Sequence, residues 1–165
     1  MNSRISMTRY TILLLTISLI SSCKETSKFD EEKARQEILE LHNAQRAYHF
    51  EKDSTAFVNQ LSHDFISVNR GEITTPSKNE TKSRYYGYFN AVDFNKWDDL
   101  SEPIIRFSCD GTLAYTIVDK IVEVTYKDSD ATVSSTHFAW MAVYRKTLDG
   151  WKIESVASTN VPADE

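Results

Sequence analysis

The last third of the chain alternates apolar residues with polar or small ones over long runs. Between Leu113 and Tyr126, Ile, Val, Tyr and Thr occupy both alternating sets of positions, which is typical of a β-strand that is covered on both faces. A short apolar run at 104–109 precedes it, and Asp110-Gly111 joins the two. Because this pair tolerates the positive φ of a tight turn, the two runs are predicted to form a β-hairpin.

A second long strand is predicted after the polar turn at 127–130. Within its apolar run at 138–144, Phe138, Trp140 and Tyr144 share one face with Ala142, whereas His137 and Met141 belong to the other. Asp149-Gly150 then turns the chain into a last strand at 151–156, which completes an antiparallel meander. Since both faces of the run are apolar, we expect helices to cover one face and a partner subunit to cover the other.

Helical spacing dominates the chain before these strands. Asp30 is positioned to cap a first amphipathic helix. Its predicted stripe consists of Ala34, Ile38, Leu41, Gln45 and Tyr48. Asp53 or Ser54 begins a short second helix, and Ser77 with Glu80 has the spacing of a capping box for a third. With further strands at 64–68 and 94–100, this order predicts an α+β architecture with helices on one face of an antiparallel sheet.

The N-terminus has the pattern of a secretory signal. Arg4 and Arg9 precede an apolar run at 10–20 that is too short to span a bilayer, and Leu19-Ile20-Ser21-Ser22-Cys23 follows. This ending resembles the bacterial lipobox, which implies that residues 1–22 are a lipoprotein signal peptide and that Cys23 is lipidated. Residues 23–29 are then a lipidated tether, and residues 30–162 form the folded domain. The resemblance implies a membrane anchor in the bacterial cell envelope, and Lys24 favours the outer membrane.

Composition narrows the possible partners. Removing residues 1–22 removes two arginines and no acid, so the formal charge changes from −5 to −7, which argues against nucleic acid as a partner.

Once Cys23 is lipidated, Cys109 is the one free thiol, and it is predicted to be a small core residue. The histidines His42, His49 and His63 do not have metal-ligand spacing, and with four glycines the chain offers no phosphate loop. We therefore predict no metal and no cofactor.

The element order and several short motifs resemble one superfamily. The motifs are the Asp53 helix start, Asp64-Phe65, Asp-Gly-Thr-Leu-Ala-Tyr at 110–115 and Gly-Trp-Lys-Ile at 150–153. They resemble the nuclear-transport-factor-2-like (NTF2-like) superfamily, and within it the SnoaL-like and DUF4440-type bacterial domains. The resemblance implies a cone: N-terminal helices packed on a strongly curved antiparallel sheet around a cavity. It also implies that a homodimer can form through the outer face of the sheet.

The same resemblance bears on catalysis. In ketosteroid isomerases of this superfamily, the general base, the oxyanion-hole tyrosine and the partner acid correspond here to Asn69, Gln45 and a position near Trp140. An amide cannot accept the proton that the general base removes, and the other two positions also depart from the isomerase pattern. Isomerase chemistry by that route is therefore not expected.

The sequence offers a different candidate catalytic group. His137 is the only histidine in the predicted sheet, and together with Asp64, Asp119 or Glu123 it forms the candidate acid/base set for a dehydratase, cyclase or hydrolase. The alternative is a strand histidine that bonds to a neighbouring group.

Ligand binding is the leading interpretation. The chain is rich in aromatic residues, which either fill the cone as core or line an apolar cavity. The candidate ligand-binding residues are Tyr48, Trp97, His137 and Trp140. We expect a lipid-anchored envelope domain that binds a small hydrophobic molecule or a partner protein without strong catalysis. The alternatives are the histidine enzyme and a structural homodimer.

Overall fold

The computed structural model of the protein describes residues 29–128 and 130–162. The predicted signal peptide, Cys23 and all but the last residue of the predicted tether lie outside the described residues. Within the part that is described, no helix is long and apolar enough to cross a membrane.

Three helices begin at the predicted capping residues. They are α1 (Glu31–Phe50), α2 (Ser54–Asn59) and α3 (Lys78–Ala91). The carboxylates of Asp30 and Asp53 each accept a hydrogen bond from the backbone amide three residues further on, at 3.0 Å and 2.8 Å. Ser77 and Glu80 form both hydrogen bonds of the capping box. The predicted helix starts are confirmed because each cap satisfies an amide that the first helical turn leaves without a partner.

Seven strands form one sheet. They are β1 (Leu61–Asn69), β2 (Glu72–Thr74), β3 (Val92–Asp99), β4 (Ile104–Phe107), β5 (Leu113–Tyr126), β6 (Val133–Thr147) and β7 (Gly150–Pro162). Their order across the sheet is β2-β1-β7-β6-β5-β3. β3 pairs with the C-terminal half of β5, and β4 pairs with its N-terminal half along the same edge. The predicted hairpin between β4 and β5 and the meander from β5 to β7 are both confirmed.

One pairing differs from the antiparallel expectation. β1 runs parallel to β7, with Ile66 opposite Ser155 and Asn69 opposite Ser158. These two strands are far apart in the sequence, so no hairpin turn forces them to run in opposite directions. Register shifts interrupt the pairing of β1 with β7, of β3 with β5 and of β6 with β7, and such bulges bend strands and increase their twist. The result is an open, mixed sheet with helices on one face.

The inner face of the sheet carries the core. On β5 the predicted alternation is confirmed, since one of its two sets of residues is buried. The buried set comprises Ala114, Thr116, Val118, Lys120, Val122 and Val124. Ala34 and Ile38 of α1 pack in the same cluster as Tyr144 and Ile153 of the sheet.

The predicted stripe of α1 is partly wrong. Ala34 and Ile38 are buried as expected, but Leu41, Gln45 and Tyr48 are only half-buried. The deeply buried positions in this half of the helix are His42 and His49, which are 4% and 2% exposed. A histidine can occupy such a position when the packed elements supply a hydrogen-bond partner or aromatic contacts, which helical spacing does not reveal.

Cys109 is exposed, so the prediction that it is a core residue is wrong. It lies in the turn between β4 and β5, where the Ser108 amide donates to the Leu113 carbonyl and the Gly111 amide donates to the Ser108 carbonyl. Cys109 and Asp110 of this turn are exposed, whereas Gly111 is buried against Phe29.

The outer face of the sheet retains apolar side chains. Tyr115, Ile117, Met141 and Val161 are between 38% and 55% exposed, and Ile117 lies directly opposite Met141 on the neighbouring strand. The structure describes a single chain, so the expected contact of this face with a partner subunit stays a prediction.

Two glycines give opposite expectations for the same substitution. Gly87 lies within α3, and a Cβ at this position would meet nothing within 4 Å. Gly87→Ala is therefore expected to raise the free energy of unfolding by about 1 kcal/mol, measured by urea denaturation.

Gly111 has φ +67°, and a Cβ at this position would lie 2.2 Å from Cδ2 of Phe29. Gly111→Ala is expected to lower the same quantity by at least about 1 kcal/mol; an equal effect of both substitutions would contradict this account.

Candidate functional site

A cavity of about 520 Å³ lies between the three helices and the inner face of the sheet. Side chains from α1, α2, α3, β1, β3, β5, β6 and β7 line it. This volume is within the range of small-molecule sites, roughly 300–1,000 Å³. The cavity is therefore the first candidate for function.

The closed end of the cavity is apolar. Leu61, Ala142, Tyr144 and Ile153 line it there, and none of the four is more than 4% exposed. They come from three neighbouring strands, since β7 pairs with β1 on one side and with β6 on the other. The side chains at this end are therefore almost completely buried.

The other end of the cavity is polar. The inward residues of β1 change from Leu61 and Phe65 to Ser67 and Asn69, and the pairing of Asn69 with Ser158 places the polar part of β7 beside them. The polar side chains that the sheet contributes are Ser67, Asn69, Ser134, Thr136, Ser158 and Asn160. Asn69 and Asn160 are exposed, so this polar end is the mouth.

Aromatic rings form the wall between α1 and the sheet. The His49 ring stacks on Trp97 with centroids 3.6 Å apart, and Trp97 lies 5.7 Å from Trp140. Trp140 in turn lies 5.7 Å from Phe138. All four residues line the cavity, which gives it flat apolar surfaces.

His49 is held in one state by its surroundings. Its Nδ1 lies 2.7 Å from the carbonyl oxygen of Gln45, and because a carbonyl only accepts, Nδ1 carries the proton. Burial among the rings lowers the pKa of His49 from 6.5 to about 4. The side chain is therefore neutral at pH 7, with Nε2 unprotonated.

Two tyrosines of the cavity stay protonated at neutral pH. Burial raises the pKa of Tyr88 to about 12, and burial likewise raises the pKa of Tyr144 to about 12. Tyr88 comes from α3, whereas Tyr144 lies at the closed end. Both hydroxyls can therefore donate hydrogen bonds but do not act as bases at pH 7.

A charged cluster fixes α1 behind this wall. His42 Nε2 lies 2.7 Å from Asp99 Oδ2, and Lys120 Nζ lies 2.5 Å from Asp99 Oδ1. Burial by itself would raise the pKa of Asp99, but the hydrogen bonds from His42 and Lys120 lower it below the ordinary value. Lys120 Nζ also lies 5.4 Å from the centre of the Trp97 ring. The cluster ties α1 to β3 and β5 and supports the aromatic wall.

The predicted site residues fall in different places. Trp97 and Trp140 line the cavity, while Tyr48 is half-buried and is not part of the lining. His137 is paired with Asp119 through Nε2 and Oδ1, but this pair lies on the outer face of the sheet. The reason is the register: Phe138 faces the cavity, so its neighbour His137 must face away. Asp64 is exposed and also lies outside the cavity lining.

The positions that correspond to the isomerase residues do meet in the cavity. Gln45, Asn69 and Trp140 all line it. Among the described residues of the lining there is no carboxylate, and the one histidine is His49. General acid/base chemistry of the isomerase kind therefore has no proton-transfer group at these positions.

Sequence reasoning missed His49 and the arginines of the mouth. The sequence shows only that His49 lacks metal-ligand spacing, and nothing local reveals that α1 turns it inward. Arg70 and Arg84 also line the cavity. A signal for the polar mouth was present, because serine and asparagine alternate at the ends of two strands as Ser67, Asn69, Ser158 and Asn160. Within the described part of the chain, no group of His, Cys, Asp and Glu could hold a metal ion.

Known structures share this architecture. No family model and no curated protein matches the chain. An NTF2-like superfamily protein from Salmonella enterica superposes with a TM-score of 0.67 at 20% identity, covering 81% of this chain and 94% of that one. The protein has the NTF2-like fold. A ketosteroid isomerase-like protein from Erwinia carotovora matches this chain with a TM-score of 0.64 at 18% identity, covering 81% of this chain and 98% of that one. An NTF2-like protein from Cytophaga hutchinsonii gives a TM-score of 0.61 at 16% identity, with 77% and 98% covered.

The buried histidine of the NTF2-like cavity gives a pH prediction. The unfolded chain binds a proton at this side chain below about pH 6.5, whereas folded His49 stays neutral down to about pH 4, so stability is lost as the pH falls through this window. Between pH 7 and pH 5 the loss is about 2 kcal/mol from this group. His49→Leu is expected to remove that part of the pH dependence in urea denaturation.

His63 supplies the matched control because it is exposed. His63→Gln is expected to keep the pH dependence of the unmodified protein. Equal pH dependence in His49→Leu and His63→Gln would show that burial of His49 does not control it.

Proposed function

We propose that the protein is a lipid-anchored domain of the bacterial cell envelope, held in the outer membrane through Cys23, that binds a small, largely apolar molecule in its NTF2-like cavity without strong catalysis. The composition of the cavity supports this most directly. An apolar closed end, flat aromatic walls and a polar mouth are typical of small-molecule sites, and the described lining has no carboxylate.

The enzyme alternative finds less support. It requires a cavity histidine with a carboxylate beside it, whereas the His137–Asp119 pair lies on the opposite face of the sheet. The histidine that lines the cavity is His49, whose lowered pKa of about 4 makes it a weak base. A general base is most effective when its pKa lies near the operating pH, so His49 is poorly suited to that role.

A substitution that fills part of the cavity tests ligand binding. Ser158 and Thr159 are neighbours on β7 with opposite orientations: Ser158 lines the cavity, and Thr159 is exposed outside it. Ser158→Phe is expected to weaken binding of the neutral dye Nile red at least about tenfold, since the new ring occupies the space between walls and mouth. Thr159→Phe is expected to bind the dye like the unmodified protein. The measurement is a fluorescence titration of each purified protein.

The comparison of the two variants distinguishes dye binding in the cavity from dye binding at other surfaces of the protein. If Ser158→Phe and Thr159→Phe bind the dye equally, the dye does not enter the cavity and the proposal fails. The melting temperature of both variants, measured in the same buffer, shows whether the added ring has disturbed the fold.

The lipid anchor is tested at its cysteine. When the full chain is expressed in a Gram-negative bacterium, Cys23→Ser is expected to abolish incorporation of a labelled fatty acid and to move the protein out of the membrane fraction. Cys109→Ser is the matched control, because Cys109 is an exposed free thiol. It is expected to leave labelling and fractionation unchanged. Labelling that persists in Cys23→Ser would contradict the anchor.

A further inference from the structure

We infer that the ligand of this cavity is an amphiphile with an anionic oxygen head group, a carboxylate or a phosphate, that binds at Arg70 and Arg84. The inference rests on the proposed ligand-binding function and specifies the ligand class. Arg70 and Arg84 are the two charged side chains in the described cavity lining, since His49 is neutral at pH 7.

The two arginines reach one cavity from different elements. Arg70 lies in the turn between β1 and β2, next to Asn69 at the mouth, and Arg84 lies on α3. The turn is tight, with φ of 52° at Arg70 and 79° at Gly71, which limits where the Arg70 side chain leaves the backbone. Two guanidinium groups on one cavity can bind one anionic head group.

Neither arginine is neutralised by the protein. Arg35, Arg46 and Arg145 each form an ion pair with an acidic side chain, whereas Arg70 and Arg84 form none within the described residues. The Arg84 guanidinium instead lies over an aromatic ring, 5.4 Å from the centre of Tyr85. The charge of both groups therefore remains available to a ligand.

Helix α3, which carries Arg84, has an excess of positive charge. Helix α3 carries the cations Lys78, Lys82 and Arg84 but one acid, Glu80, and the Glu80 carboxylate is engaged by Ser77 in the capping box. The chain as a whole has a formal charge of −5, so this excess of positive charge is local. A negative head group is attracted to such a site and a positive one is repelled.

The mouth also supplies uncharged hydrogen-bond donors. The Asn69 and Asn160 amides and the hydroxyls of Ser134, Thr136 and Ser158 line the cavity and make no side-chain hydrogen bond within the described residues. Each can donate to an anionic oxygen. Apolar walls lie behind these donors, so one ligand can place its head at the mouth and its apolar body against Trp97 and Trp140.

Four decyl compounds with different head groups test the inference. Decanoate, decyl phosphate, decanol and decylamine share one apolar chain, and their affinities can be compared by isothermal titration calorimetry. At least one of the two anions is expected to bind about tenfold more tightly than decanol, and decylamine most weakly. The stronger anion then identifies the head group as carboxylate or phosphate.

Arginine substitutions assign the preference to its residues. In the double variant Arg70→Gln/Arg84→Gln, the anions and decanol are expected to bind within about threefold of each other, with the affinity for decanol unchanged. Arg145→Gln is the matched control, because Arg145 is an exposed arginine paired with Glu154 away from the cavity lining. It is expected to keep the tenfold preference.

The possible failures are distinguishable. Equal binding of decanol and both anions to the unmodified protein would overturn the anionic head group while leaving the ligand-binding function standing. A preference for anions that persists in the double variant would overturn the assignment to Arg70 and Arg84. If none of the four compounds binds, both the inference and the proposed function fail.

Discussion

The pairing register of β6 with its two neighbours determines which side chains face the cavity. In a strand, successive side chains point to opposite faces, so Phe138 and Trp140 face the cavity only while Val118 stays opposite Trp140 on β5 and Ser158 stays opposite it on β7. A slip of one residue would bring His137 inward and expose the aromatic wall. Because both neighbouring strands are long and their inner faces are buried, such a slip would expose apolar area along the whole sheet.

Polar groups, rather than aliphatic ones alone, hold α1 against this sheet. His42 reaches Asp99, which also pairs with Lys120, and the side chains of His42 and Lys120 are both almost completely buried. His49 is surrounded by rings and bonds back to the carbonyl of its own helix. Such contacts are directional, and they fix the rotation of α1 about its axis more tightly than a smooth aliphatic stripe would. The aromatic wall of the cavity depends on that rotation.

The cavity shows how one fold can carry different functions. By the family resemblance, Asn69, Gln45 and a position near Trp140 match the general base and the two oxyanion-hole groups of a ketosteroid isomerase. Gln45, Asn69 and Trp140 line the cavity here, and none of them is a base. The charged groups of the described lining are instead Arg70 and Arg84, and no carboxylate accompanies them there. The distribution of charge therefore favours recognition over acid/base chemistry.

The sequence by itself determined the helix starts at Asp30, Asp53 and Ser77, the hairpin at Asp110-Gly111 and the two faces of β5. These features depend on capping, turn geometry and alternation, which act over a few residues. The cavity was predicted only through family resemblance, and its histidine and arginines were not predicted. Only the tertiary structure decided that His49 turns inward, that His137 faces outward and that Arg70 and Arg84 line one cavity, since each depends on which distant elements pack together. The parallel pairing of β1 with β7 belongs to the same class, because no local signal connects strands so far apart in the chain.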